Sequence, residues 1–319
     1  MPKEHKKFSK AFNLRYDGPM AGTFLVILAC LFWGMDTLIR YPLVYRGIHP
    51  IHIVFYEHCF LVLIFSLSLI QDFKRIGELK ISDIFSFLIV GGIGSAIATI
   101  AFTESFLYLN PSLVILLQKL QPVVAITLAS FILKEQIQKE FVFWAAVSLI
   151  GGLLVSSPDI ERFYELLRHD FDKVTSDTAL NGYGLVGISI LGWGATTVFG
   201  KRLSLVGFQT KSIMAGRFLV GLMVLIPFMQ WNRQLILPHG EDYLRILIMV
   251  LISGALAMWL YYQGLKKISA KSTAIAEMFF PFFAVIVNWI FLEKQLTEIQ
   301  LIGGGILILG SLVIQLKKY

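Results

Sequence analysis

The second half of this chain of 319 residues repeats the first. Shifted by 160 positions, Gly22, Leu31, Trp33, Gly34, Thr37, Leu43 and Gly47 fall on Gly182, Leu191, Trp193, Gly194, Thr197, Leu203 and Gly207. Shifted by 159, Pro122, Ala125, Leu133 and Gln136 fall on Pro281, Ala284, Leu292 and Gln295. Two copies of one unit fold as two like bodies that bury a shared face. Both copies are apolar throughout. Hydrophobic residues make up 56% of the chain, charged residues 15%, and the mean hydropathy is +0.72, which no soluble domain approaches. Repeated apolar halves point to a membrane carrier whose pathway lies where the halves meet.

A bilayer core takes about 20 apolar residues per helix. Ten runs qualify: 20–40, 51–71, 82–106, 112–133, 140–157, 183–203, 209–230, 242–265, 270–292 and 297–316. The expected fold class is therefore all-α integral membrane, with ten transmembrane helices. With the N-terminus inside, the cytoplasmic segments hold 18 lysines and arginines and the opposite side 8, Arg40 and Arg46 among them. That asymmetry places the N- and C-termini in the cytoplasm. It also accounts for the net charge of +7 without any nucleic-acid partner. Five spans per half is an odd number, so the second half enters the membrane from the opposite face. The halves are expected to form two inverted five-helix repeats.

The chain divides into a cytoplasmic segment 1–19, a first repeat 20–157, an extracytoplasmic linker 158–181, a second repeat 182–316 and a cytoplasmic tail 317–319. Within the linker, Ile160, Phe163, Tyr164, Leu167, Phe171 and Val174 recur at helical spacing, which predicts an amphipathic helix lying on the outer surface. No small-residue cleavage site follows the first apolar run, so it reads as a retained span. Cys30 and Cys59 both fall inside spans, with neither a disulfide framework nor metal-ligand spacing around them.

Ionisable groups inside a bilayer are costly and mark a pathway or a partner. Asp36, Glu57, His58, Glu104, Lys119, Arg217 and Glu277 fall within spans, with Gln118 and Gln263 as neutral company. Glu57 aligns with Arg217 in the repeat, and Gln118 with Glu277. This suggests two charge pairs, Glu57 with Lys119 and Arg217 with Glu277, one toward each side, opening in turn. Trp33 and Trp193 occupy matched positions, each followed by glycine, and read as cavity walls. The expected substrate-binding or gating residues are Trp33, Asp36, Glu57, Glu104, Gln118, Lys119, Trp193, Arg217, Gln263 and Glu277. Glu57, His58 and Glu104 are candidates for proton coupling. Pro122 and Pro281, matched in spans four and nine, are candidate hinges. The chain carries no P-loop, HExxH or GxSxG motif, so no enzyme chemistry, cofactor or metal is expected. Energy would come from an ion gradient or from the substrate's own.

Several stretches carry a family resemblance: FWG at 32–34 and GWG at 192–194, then QPVVAITLASFILKEQ before AAVSLIGG, and FPFFAVIVNWIFLEKQ before LIGGGILILG. In these the chain resembles the drug/metabolite transporter superfamily, specifically its EamA-type carriers, over about residues 20–316. The resemblance implies a ten-helix inner-membrane carrier that holds a small metabolite between its halves and often exports it. The expected function is secondary transport of a small polar or zwitterionic, amino-acid-like metabolite by alternating access. Partners would be that solute, the bilayer and coupling protons. Drug or cation efflux is the alternative within transport, and a non-transporting membrane sensor the alternative outside it.

Overall fold

A computed structural model describes residues 19–76, 79–132, 137–169, 178–231, 238–265, 267–268, 276–277 and 279–317. Among them all regular structure is helical. Nine helices are long and apolar enough to cross a bilayer, and Phe279–Leu292 is a shorter apolar helix. In chain order, spans one to five are Met20–Tyr45, Pro50–Leu67, Ile81–Ser105, Pro111–Ile132 and Lys139–Leu166. Spans six to ten are Ala179–Leu205, Thr210–Met229, Gly240–Tyr261, Phe279–Leu292 and Glu298–Lys317. The helix of span five continues through Pro158 to His169. The first part of the expected linker is therefore an extension of that span, and residues 170–177 lie outside the described set, as do 1–18.

The repeat is structural, down to helix ends. Spans one and six both stop at a glycine with a left-handed backbone, Gly47 at φ 89° and Gly207 at φ 100°. In each the residue beyond closes the turn, Ile48 N–H bonding to the Leu43 carbonyl and Phe208 N–H to that of Leu203. Only glycine adopts this geometry without a Cβ clash. Spans three and eight both begin with a carboxylate folded back on the chain. Asp83 accepts from the Lys80 N–H at 3.2 Å and Asp242 from the His239 N–H at 3.0 Å. Both spans then pass through a π-helical stretch, Leu88–Ile97 and Val250–Leu256.

The two halves interlock reciprocally. Span one packs on spans eight and nine, and span six on spans three and four; spans two and seven pair, as do spans five and ten. Glycine permits these approaches. A Cβ on Gly34 would lie 3.1 Å from the Ala284 nitrogen, and one on Gly194 would meet Val124 and the Ala125 nitrogen. Gly34 and Gly194 are repeat mates, and so are Ala284 and Ala125. Between spans five and ten, Gly151 faces Leu307 and Gly303 faces Val155 with no room for a side chain. In a bilayer, where lipid is as apolar as the helices, such close van der Waals approach is what associates them.

Candidate functional site

Where the halves meet, a cavity of about 250 Å³ opens. Spans one to four supply Trp33, Asp36, Thr37, Arg40, Glu57, Thr99, Phe102 and Gln118; spans six to eight supply Trp193, Arg217, Phe218, Ser253 and Met258, and Phe280 comes from span nine. Six of the residues singled out in the sequence thus share one wall system: Trp33, Asp36, Glu57, Gln118, Trp193 and Arg217.

At the centre lies a residue that sequence reasoning placed in a loop. Arg40 is 4% exposed, because the first span runs on to Tyr45 instead of ending near residue 40. Its guanidinium takes Asp36 in a two-point grip at 2.6 and 3.2 Å, one helical turn back. It also donates to Glu57 at 3.0 Å and to Thr103 at 3.2 Å. The planar fork suits this bidentate geometry, which a lysine could not reproduce. The spacing of four between Asp36 and Arg40 was the legible signal for it. The Ser253 hydroxyl donates to Asp36 at 2.8 Å, which ties the cluster to the second repeat. The Trp33 indole N–H donates to the Ser253 carbonyl at 3.1 Å, fixing the ring that faces the cavity.

The expected partners of Glu57 and Glu277 are therefore corrected. Glu57 pairs with Arg40 and not with Lys119. Glu277 accepts a hydrogen bond from Tyr261, while the Arg217 Nε donates to Ser95. Lys119 stands over the Phe280 ring at 5.4 Å. Span four breaks into a 3-10 turn at Gln118–Leu120; Gln118 of that turn borders the cavity and Lys119 does not. Glu104, Lys119, Gln263 and Glu277 are not among the cavity's lining residues.

His58 completes an oriented chain beside the cavity. Its Nδ1 meets the Val54 carbonyl at 2.8 Å, so Nδ1 carries the proton. Its Nε2 then accepts from Ser95 at 3.0 Å, and the Ser95 oxygen accepts from Arg217 Nε at 3.1 Å. Both ring nitrogens are engaged and the residue is 1% exposed. Gly221 makes the room, since a Cβ there would lie 2.7 Å from the imidazole. The histidine holds Arg217 in place through Ser95.

The aromatic walls obey the repeat. Trp33 meets Tyr261 at 5.2 Å and 50°, and Trp193 meets Phe102 at 5.2 Å and 55°; Phe102 and Tyr261 are themselves repeat mates. Pro122 is the second residue of the helix Gln121–Ile132, directly after the 3-10 turn, and Pro281 lies in the helix of span nine. No group of metal-ligating side chains occurs among the described residues.

Known proteins bear out the architecture. The model of the EamA-like transporter family matches residues 20–157 and 180–316, the two halves of the repeat. The riboflavin transporter ImpX of Fusobacterium nucleatum is 28% identical over 305 residues, covering 93% of this chain and 98% of its own. An uncharacterised transporter of Archaeoglobus fulgidus is 22% identical, covering 92% and 98%. A protein of known crystal structure shares the fold with a TM-score of 0.58 at 14% identity, over 93% of this chain and 98% of that one. With nine membrane-length apolar helices and a shorter one among the described residues, in two matched halves that each fit the family model, the chain is a multi-pass membrane protein that belongs to the EamA-like transporter family.

Proposed function

We propose that this transporter is a secondary carrier. It moves a small polar metabolite of no net charge by alternating access through the cavity between its two halves, which are inverted repeats with both termini in the cytoplasm. The observation that supports this most is the balance of charge around the cavity: two carboxylates, Asp36 and Glu57, against two guanidiniums, Arg40 and Arg217. A neutral or zwitterionic solute leaves that balance intact. A cation would have to compete with Arg40 for both acids, which disfavours cation efflux. The volume of about 250 Å³ lies just below the usual range for ligand pockets, roughly 300–1,000 Å³, and suits a compact cargo. The named relative adds a neutral aromatic solute such as riboflavin to the amino-acid-like candidates.

Of the groups expected to couple protons, Glu57 borders the cavity while His58 is held by two hydrogen bonds beside it. We assign coupling to Glu57. The experiment is uptake into sealed proteoliposomes, in both directions and with or without a pH gradient, of a panel of amino acids, nucleobases and riboflavin. Transport of a neutral or zwitterionic member is expected, with Glu57→Gln abolishing its response to the pH gradient. Flux confined to lipophilic cations would contradict the proposal, as would a gradient response that survives Glu57→Gln.

A further inference from the structure

Resting on that carrier reading, we propose that Gln118 reads the cargo, and that the cargo is a neutral planar ring bearing an in-plane carbonyl. Three observations meet here. First, the Gln118 Nε2 is buried with no hydrogen-bond partner among the described residues. A buried amide donor left unpaired costs free energy, and native proteins seldom tolerate one without a use for it. Second, Gln118 borders the cavity from the 3-10 break of span four, and its terminal amide turns on a broad, soft torsion. Its repeat mate Glu277 lies outside the cavity lining and is satisfied by Tyr261, so the orphan is particular to this half.

Third, the cavity is lined by rings. Trp33, Phe102, Trp193, Phe218 and Phe280 supply five of its seventeen lining residues. The Trp33 indole N–H is spent on Ser253, so that residue offers the cavity apolar ring surface and no donor. Edge contact with Phe280 at 6.5 Å and 90° holds the ring. Asp36, Glu57 and Arg40 satisfy one another. A flat ring among these side chains needs an acceptor on the edge it turns to Gln118 if it is to remove the unpaired donor. A site built to hydrogen-bond a substrate group discriminates strongly against an analogue without it.

The test uses the full-length protein in nanodiscs and three probes: lumichrome, a neutral planar tricycle with two ring carbonyls; fluorene, a planar tricycle with no acceptor on its rim; and tryptophan, an aromatic zwitterion. Binding is read by calorimetry in the wild type, Gln118→Leu and Gln118→Glu, with unchanged melting temperatures verifying the fold. The expected result is lumichrome binding at least tenfold tighter than fluorene in the wild type. Both substitutions should erase that preference and leave fluorene unaffected. Equal lumichrome affinity in the wild type and Gln118→Leu, absent lumichrome binding, or tryptophan as the favoured probe would overturn the assignment. Proteoliposome flux separates this from the carrier reading. Uptake of some other solute, indifferent to Gln118, removes the assignment and keeps the carrier; a wild type that moves no solute removes the carrier.

Discussion

At the scale of single residues, the account turns on Arg40. It is the cation that allows two carboxylates to share one apolar interface, and taking it away leaves both unpaired. Losing one partner of a buried ion pair costs about 3–5 kcal/mol, whereas Glu57→Gln leaves Arg40 its two-point grip on Asp36. Arg40→Gln should therefore lower the melting temperature of the purified protein clearly more than Glu57→Gln does. Equal shifts would mean that the cluster does not share charge as the distances imply. Arg40 was also where the sequence was hardest to read. The apolar run closes near this charge, and the partners that make it tolerable, Glu57 and Thr103, lie 17 and 63 positions away. Trp33, Asp36, Glu57 and Arg217 were legible because a polar or ring-bearing side chain inside an apolar run is conspicuous on its own. The partner of each was not, since pairing depends on how helices rotate against one another.

Among the elements, the two halves match in their helices and not in every side chain. Asn288 of span nine is fully buried; it meets Thr37 of span one at 2.6 Å and donates to Ser112 of span four at 3.2 Å. Its repeat mate is Ala129, so this hydrogen-bonded tie joins the halves on one side of the cavity and lacks a polar mate at the equivalent position. Asn288→Ala leaves the Ser112 hydroxyl buried without that partner and should destabilise the protein by about 1–3 kcal/mol, measured by thermal or denaturant unfolding in detergent. The tie predicts that Ala129→Ser, at the matched position, changes stability far less. A neutral Asn288→Ala would show the tie to be ornamental. The matched prolines were conspicuous in the sequence. The 3-10 turn at Gln118–Leu120 was not, because an apolar run carries no mark of a local change in helical pitch.

For the whole molecule, the repeat was the decisive signal. It gave two five-helix halves, and the structure adds the reciprocity by which each half's first helix inserts between the third and fourth of the other. That arrangement builds one cavity from both halves, so any change in their relative tilt alters access to it. The central claim is that cargo passes through this cavity, and filling it is the direct test. Thr99 lines it, and its own carbonyl, not its side chain, accepts from Thr103. Thr99→Phe therefore occupies the volume without breaking the Arg40 network. Flux of whichever panel solute the wild type carries should fall to the background of protein-free vesicles while the melting temperature stays within a few degrees. Undiminished flux through a folded Thr99→Phe protein would contradict the account.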